Sequence, residues 1–233
     1  YNGSSFGNTL YGYMVSGYGT PSPAGFTRVA KMQYSTETML FDSNSWPNPY
    51  GGWGTAGVSN QVKGYSGGGD SPGSGLHGRV YKYDIPTDTV ASNPVGGGSE
   101  FPGIRYASTS GNETESYWGS GYNNSYSHID SGNWTQVKKL TYSSDTFSEQ
   151  PSTFLYFPNP AANNKAAEGD GNSTHGYHGK AGYANVISYA TGTFAPAPMY
   201  GGTGTGMSIM ANSTESWQMG PSASQTGKYT FAT

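Results

Sequence analysis

The sequence contains no cysteine and few aliphatic residues, and each shortage excludes a class of protein. Without cysteine there can be no disulfide framework and no thiolate site for catalysis or metal binding. Leu, Ile, Val and Phe together number 28 of 233 residues, a shortage that indicates disorder only when the net charge is also high. The net charge is only −3, and 20 Tyr and 5 Trp can supply the apolar area of a core. The composition therefore favours a folded chain.

Charge and long apolar segments are also scarce. Charged residues make up 11 % of the chain, and the pI is about 5.7. No cluster of Lys and Arg and no aromatic-basic RNA-binding motif occurs, which argues against nucleic acid as a partner. No apolar run approaches the roughly 18 residues of a membrane-spanning helix, so membrane insertion is not expected. The chain begins with Tyr rather than Met, which indicates either a processed leader or a piece of a longer protein.

What the sequence does contain is a repeat. An alternating stretch followed by a turn, RVYKYDIPTDT at residues 79–89, has three further full copies and one shortened copy. These are RVAKMQYSTET at 28–38, QVKKLTYSSDT at 136–146, YANVISYATGT at 183–193 and TGKYTFAT at 226–233. Large apolar or aromatic residues share two columns with a single residue between them, which predicts one buried face of a strand.

A second element precedes each copy, and in it an Asn stands five residues before an aromatic residue. The pairs are Asn8 with Tyr13, Asn60 with Tyr65, Asn112 with Tyr117, Asn172 with Tyr177 and Asn212 with Trp217. Asn suits a turn before a strand because its side chain bonds nearby backbone groups. The aromatic column is predicted to be buried.

Repeats of about 50 residues with these two elements are typical of kelch propellers. The sequence therefore predicts an all-β fold, a kelch-like β-propeller of about five blades in a single domain over residues 1–233. Four complete repeats are placed at about 7–58, 59–110, 111–170 and 171–210. Residues 211–233 together with 1–6 are expected to form a split or partial blade. The alternative is an open β-solenoid or a fragment of a longer array.

Three stretches carry a resemblance to a known group of proteins. YSSDT at 142–146, GNSTHGYHG at 171–179 and GNETESYWGSG at 111–121 resemble kelch-like repeats in virion structural proteins of marine bacteriophages. Those proteins are similar to tail-fibre or tail-associated proteins of cyanophages and pelagiphages. The resemblance covers most of the chain, although the third repeat is longer and the fourth shorter than the pattern.

The resemblance implies a β-propeller on a virion or extracellular surface that serves structure or host attachment. Its partners would be other virion or particle proteins, further copies of the chain, or a host-surface glycan. The resemblance transfers no catalytic residue to this chain.

The ionisable residues form no recognisable catalytic or metal-binding motif. His175 and His178 are three apart in a predicted strand and so point to opposite faces, which does not suit a metal. Glu113 and Glu115 could be paired catalytic acids, but unrelated residues stand there in other repeats, so a solvated surface is expected. The glycine-rich stretch at 67–75 lacks the Lys of a phosphate-binding loop. We therefore expect no enzyme activity, no cofactor and no metal.

Aromatic residues outside the repeat columns are the candidates for binding a ligand or partner. They stand between predicted strands, where rigid rings can stack on a sugar or anchor a protein partner. The candidates are Trp46, Trp53, Tyr122, Tyr126, His128, Trp134 and Tyr156. Local packing of long loops would also account for them.

The distribution of these aromatics bears on the choice of function. Their concentration in the first and third repeats favours one asymmetric contact surface, as in a structural or attachment module. A secreted propeller lectin is the alternative, and it should repeat its sugar contacts in every blade. A propeller-fold glycosidase is the second alternative, and it needs carboxylates that converge outside the repeat columns.

Overall fold

The computed structural model of the chain is all-β, as predicted. It describes residues 3–15, 28–46, 54–71, 75–95, 103–119, 121, 136–154, 167–180, 183–197, 208–219 and 226–230. These residues form strands, turns and bends without a helix. A membrane-spanning helix is accordingly not found among them.

Five antiparallel sheets of consecutive strands follow one another in the described part of the chain. Sheet 1 contains β1 (Ser4–Gly7), β2 (Tyr11–Val15), β3 (Arg28–Gln33) and β4 (Thr38–Ser45). Sheet 2 contains β5 (Ala56–Ser59), β6 (Lys63–Gly67), β9 (Val80–Asp84) and β10 (Thr89–Val90), and a small hairpin of β7 (Asp70–Ser71) and β8 (Gly75–Leu76) lies between β6 and β9. Sheet 3 contains β11 (Ser108–Gly111), β12 (Glu115–Gly119), β13 (Gln136–Thr141) and β14 (Thr146–Phe154). Sheet 4 contains β15 (Ala167–Gly171), β16 (His175–Lys180), β17 (Tyr183–Ser188) and β18 (Thr193–Ala197). Sheet 5 contains β19 (Ser208–Ala211), β20 (Glu215–Met219) and β21 (Thr226–Thr230).

A three-residue turn opened by Asn joins the first two strands of every sheet. In sheet 2, the side-chain oxygen of Asn60 accepts hydrogen bonds from the backbone N–H of Val62 at 3.0 Å and of Lys63 at 2.8 Å. The other four repeat asparagines accept the same two bonds. The prediction that this Asn builds a turn through its side chain is confirmed.

A four-residue turn joins the third and fourth strands of sheets 1 to 4, and its last residue has a positive φ. The φ angles are 52° at Glu37, 51° at Asp88, 53° at Asp145 and 66° at Gly192. Gly and Asp tolerate this left-handed conformation better than most residues, whereas Glu is less usual there. We call these the αL turns.

In sheets 1 to 4, the two kinds of short turn lie at the same end of the sheet. Adjacent strands are antiparallel, so the turn after the first strand and the turn after the third strand meet at one end. We call it the turn end and the other the connection end. At the connection end, the second and third strands are joined by 12, 12, 16, 2 and 6 residues in sheets 1 to 5. Among the strands that the structure describes, the connections that vary in length therefore lie at the connection end.

Each sheet has a front face, which carries the column aromatic, and a back face, which carries the residue before it. The chain forms two compact units, Tyr1–Arg105 with Tyr142–Phe147, and Tyr106–Thr141 with Ser148–Thr233. In the first unit, the front face of sheet 1 packs on the back face of sheet 2 in a core of Phe6, Tyr13, Val15, Val29, Trp46, Tyr81, Tyr83 and Ile85. In the second unit, Tyr117 and Val137 on the front face of sheet 3 pack against Ile187 and Tyr189 of sheet 4.

Glycine on the back face permits this packing in both units. A Cβ at Gly64 of sheet 2 would overlap the ring of Phe6, and a Cβ at Gly176 of sheet 4 would overlap the side chain of Ser110. Phe6 and Ser110 hold equivalent positions, since each lies opposite the column aromatic on the first strand of the preceding sheet. The same front-to-back contact is thus built twice.

The strands divide into sheets differently from the predicted repeats. The predicted boundary between residues 58 and 59 falls inside a strand, because Ala56–Ser59 pairs with Lys63–Gly67 and opens sheet 2. Likewise Ser4–Gly7 pairs with Tyr11–Val15 in sheet 1 and does not complete sheet 5. The three-residue Asn turn makes this local hairpin the pairing with the smallest loop-closure entropy.

Candidate functional site

A carboxylate on the αL turn joins sheets 1 and 2 in the first unit. Asp88 accepts hydrogen bonds from the hydroxyls of Tyr13 at 3.0 Å and Tyr83 at 3.1 Å, and from the ammonium of Lys31 at 2.5 Å. Tyr13 and Lys31 lie directly opposite each other on the front face of sheet 1. Burial alone raises the pKa of Asp88, but Lys31 and the two hydroxyls outweigh burial and hold the pKa below its ordinary value.

A second carboxylate in the same unit is bound in the same way. Asp145 accepts hydrogen bonds from Lys82 at 2.5 Å, Tyr65 at 2.6 Å and Lys63 at 3.0 Å. Lys82 lies opposite Tyr65 on the front face of sheet 2, and Tyr142 stacks on the Tyr65 ring with centroids 5.1 Å apart. Burial and the neighbouring Asp145 raise the pKa of the Tyr65 hydroxyl. We call this arrangement of aromatic hydroxyl, lysine and carboxylate the clasp.

Sheet 3 obtains its carboxylate from a different element. The αL turn of sheet 4 carries Gly192 where the other turns carry an acid. Glu115, on the front face of sheet 3 itself, accepts from the Tyr117 hydroxyl at 2.9 Å and pairs with Lys139 at 3.3 Å. Tyr189 of sheet 4 stacks on Tyr117 with centroids 5.7 Å apart. The ring stacking is the same as in the clasp of Asp145. The acid, however, stands two residues before the column aromatic in the same strand instead of in the αL turn of the next sheet.

Glu115 corrects one expectation from the sequence. We expected Glu113 and Glu115 to share a solvated strand surface. Glu113 lies in the Asn turn and is exposed, but the Glu115 side chain is only 17 % exposed and is held by Lys139. Glu115 is partly buried because it pairs with Tyr117 and Lys139, at a place where the αL turn of sheet 4 carries Gly192 and no acid. The signal in the sequence was the lysine column opposite the aromatics: Lys31, Lys82, Lys139 and Lys228.

The chemistry of the clasp is structural. A general base needs an accessible carboxylate with a pKa near the working pH, whereas Asp88 and Asp145 have lowered pKa values and accept from three donors each. Burial and Glu115 raise the pKa of the Tyr117 hydroxyl, so it is a poor nucleophile. The clasps of Asp88 and Asp145 therefore hold a turn of one sheet on the front face of the preceding sheet, and the clasp of Glu115 ties two strands of sheet 3.

His178 is fully buried in the second unit and is bound through both ring nitrogens. Nδ1 lies 2.7 Å from the Ser108 hydroxyl, and Nε2 lies 2.8 Å from the Ser110 hydroxyl. Ser108 donates to the carbonyl of Gly119 at 2.8 Å, so it accepts from Nδ1–H, and Nε2 accepts from Ser110. Burial lowers the pKa of His178 to about 3.

This contact of serine and histidine does not make a catalytic pair. Ser108 and His178 are 0 % exposed and Ser110 is 2 % exposed, so no substrate reaches them. His178 points into the sheet contact while His175 is only partly buried. Within the described ranges, no three His, Asp or Glu side chains are grouped so that they could hold a metal.

Of the predicted binding residues, Trp46 is a core residue. It is 2 % exposed, and its ring centroid lies 6.3 Å from Phe6 and 6.2 Å from Tyr81. The prediction that Trp46 binds a ligand or partner at the surface is therefore corrected, because its large apolar ring is used to fill the first unit. The remaining candidates lie outside the described residues: Trp53, Tyr122, Tyr126, His128, Trp134 and Tyr156. By their place in the chain, all six belong to segments that join strands at the connection end.

Comparison with known proteins does not name a family for this chain. No protein-family model matches it, and no similar protein is found among the curated sequences. The resemblance to phage virion proteins therefore stays a prediction from the quoted repeat motifs.

Proposed function

We propose that the chain is a non-enzymatic module of a virion or particle surface, where it serves as a structural or host-attachment element. In this proposal the sheets are kelch-like blades of a β-propeller with about five blades, or of an open array of the same blades. The front-to-back contact that recurs in each unit supports blade-like packing. The two arrangements differ in what covers sheet 1.

The observation that carries the proposal is the difference between the two ends of each sheet. The turn end keeps three-residue and four-residue turns, whose Asn and acidic side chains are used for folding. The connection end has segments of 2 to 16 residues between the second and third strands. In repeat proteins, insertions of varying length collect on one face, which is often the binding face. The connection end is therefore the proposed contact surface.

The use of ionisable groups supports a role without catalysis. Asp88, Asp145 and Glu115 each form a clasp. Asp70 pairs with Arg105 at 2.7 Å. These acids contribute to the sheets and hairpin of the scaffold, as expected of a structural module.

Replacement of connection-end aromatics tests the proposal. The purified chain on beads is offered to bacterial cells and, in parallel, to an array of immobilised glycans. We expect the wild type to bind and the double variant Tyr126→Ser with Trp134→Ser to lose at least about tenfold in affinity, or 1.4 kcal/mol. A matched control at the turn end is Leu10→Ser, since Leu10 is 61 % exposed; it should bind like the wild type.

Each outcome has a defined meaning. Binding to glycans with equal loss from variants at the connection ends of several sheets would support the lectin alternative. Release of free sugar during the incubation would support the glycosidase. Unchanged attachment by the folded double variant would contradict the proposed contact surface.

A further inference from the structure

The back face of sheet 1 is exposed where the equivalent faces of sheets 2 and 4 are buried. Met14 is 61 % exposed, Met39 is 45 % exposed and Tyr34 is 47 % exposed. The position of Met14 is taken by Ser66 in sheet 2 and by His178 in sheet 4, and both are 0 % exposed. The back face of sheet 1 is thus exposed to water, whereas the equivalent faces of sheets 2 and 4 pack against the preceding sheet.

This face carries the groups that the following sheet contributes to a clasp, namely an aromatic ring and the carboxylate of the αL turn. The position of Tyr34 is taken in the next three sheets by Ile85, Tyr142 and Tyr189, which are 5, 2 and 7 % exposed. Tyr142 and Tyr189 stack on the column aromatic of the preceding sheet. Glu37 occupies the αL turn with an exposed side chain, at the position where Asp88 and Asp145 accept from a lysine.

The front face of sheet 5 carries the column ring and the lysine of a clasp, with a tryptophan in place of the tyrosine. Trp217 and Lys228 lie opposite each other, as Tyr13 and Lys31 do in sheet 1. The column aromatics of sheets 1 to 4 are 0 to 1 % exposed, whereas Trp217 is only partly buried. The Lys228 side chain is 53 % exposed and pairs with Glu215 at 2.8 Å.

We propose that the back face of sheet 1 is a docking surface for the front face of sheet 5 of a second copy of this chain. The ring of Tyr34 would stack on Trp217, as Tyr142 stacks on Tyr65. The carboxylate of Glu37 would accept from Lys228, as Asp88 accepts from Lys31. The occupant is argued from continuity with the sheet contacts inside each unit and from opposite charge. The inference rests on the open-array form of the proposed blade packing, because in a closed propeller the chain's own sheet 5 would cover this face, and it does not depend on the role in a particle.

The contact joins different surfaces of two copies, and this determines how the protein assembles. Each chain carries both faces, so a heterologous contact can continue from copy to copy or close into a ring of chains. Apolar side chains on an exposed face next to a complementary charge are typical of such interfaces. We expect association that strengthens with protein concentration.

Light scattering on the full chain over a range of concentrations tests the association. A mass above the 24.5 kDa of one chain should appear as concentration rises. Met14→Arg places a charge on the docking face and should weaken association at least tenfold. The matched control is Val62→Arg, since Val62 is 47 % exposed in the Asn turn of sheet 2; it should associate like the wild type. A constant 24.5 kDa, or equal effects of the two variants, would overturn the proposal.

Crosslinking identifies the partner face, because the chain has no cysteine of its own. A Glu37→Cys chain is mixed with a Lys228→Cys chain and treated with a short bismaleimide. We expect a linked pair that contains one chain of each kind, and little product when Ser143→Cys replaces Glu37→Cys. Ser143 is exposed on the αL turn of sheet 3. A link formed only within a chain that carries both Glu37→Cys and Lys228→Cys would show that the chain's own sheet 5 is the occupant, and would overturn the proposal.

A folding defect is separated from a binding defect by a second variant. Met14 is exposed, so Met14→Arg should keep the circular dichroism and thermal midpoint of the wild type. If it does not, Glu37→Lys decides the result, and unchanged association of that variant contradicts the proposal. The attachment test uses connection-end variants, so loss of attachment with intact association refutes the proposed function alone.

Discussion

Replacing Asp145 by Asn tests whether the clasp stabilises the fold. Asn also tolerates the φ of 53° found at Asp145, so the backbone of the αL turn should be retained. The substitution removes the negative charge that holds Lys63 and Lys82, and it leaves one side-chain oxygen where there were two. Any loss of stability is then attributable to the clasp.

The size of the effect follows from the contacts of Asp145. It accepts bonds of 2.5, 2.6 and 3.0 Å from Lys82, Tyr65 and Lys63, and bonds to charged groups contribute roughly 1.5–3 kcal/mol each. The two lysine side chains are 26 and 24 % exposed, so water compensates part of the loss. Since Asn keeps one acceptor, we expect a net loss of about 2–3 kcal/mol, or roughly 5–10 °C in thermal midpoint for a chain of this length.

Urea unfolding followed by intrinsic fluorescence measures the loss. The midpoint should fall while the slope of the transition stays unchanged. The matched control is Glu37→Gln, at the same αL position of sheet 1, where the side chain is exposed; in dilute protein it should change stability by less than about 0.5 kcal/mol. Equal losses from Asp145→Asn and Glu37→Gln would refute the reasoning, because position in the turn and not the clasp would then decide stability.

Two further predictions concern buried groups. The pKa of His178 is about 3 when folded and ordinarily about 6.5 when unfolded, so the unfolded state takes up the proton first. Its stability contribution is lost from about pH 6.5 downward. Between pH 8 and pH 5 we expect a loss of about 2 kcal/mol of unfolding free energy; His178→Gln should flatten that dependence, and an unchanged pH slope in this variant would count against the buried neutral ring. In a second experiment, Gly64→Ala should lose about 1–3 kcal/mol in urea unfolding because its Cβ meets the buried Phe6 ring. Gly12→Ala, at the same repeat position, meets only the hydroxyl end of exposed Tyr34 and should be far milder; similar losses would contradict the packing argument.

Local features of the fold could be predicted from the sequence because they depend on residues close together in the chain. The Asn turns are an example, since the Asn60 side chain bonds the backbone only two and three residues on. The repeat likewise predicted two buried columns, one that holds Tyr65 and one that holds Tyr83, both 0 % exposed. These are short-range hydrogen bonding and the two-residue period of a strand, which a single copy already contains and the repeat makes visible.

The role of Trp46 could not be predicted, because a loop tryptophan looks the same whether it faces water or a neighbouring sheet. Its burial depends on Tyr81, which is 35 positions away in the sequence. The repeat pattern also could not predict which strands share a sheet, because the boundary between two repeats can be placed at any point along the period. Hairpin closure by the Asn turn placed Ser4–Gly7 in sheet 1.

The sequence by itself determined the all-β class, the repeat, the Asn turns and the buried aromatic column, because propensity and period act within one strand or turn. Only the tertiary structure decided which acid completes each clasp. Asp145 meets Lys63 and Tyr65 from about 80 residues away, while Glu115 replaces a turn acid where Gly192 stands. Charge and hydrogen bonding depend on distance in space, and nothing in the local pattern of Glu115 distinguishes a paired side chain from a solvated one.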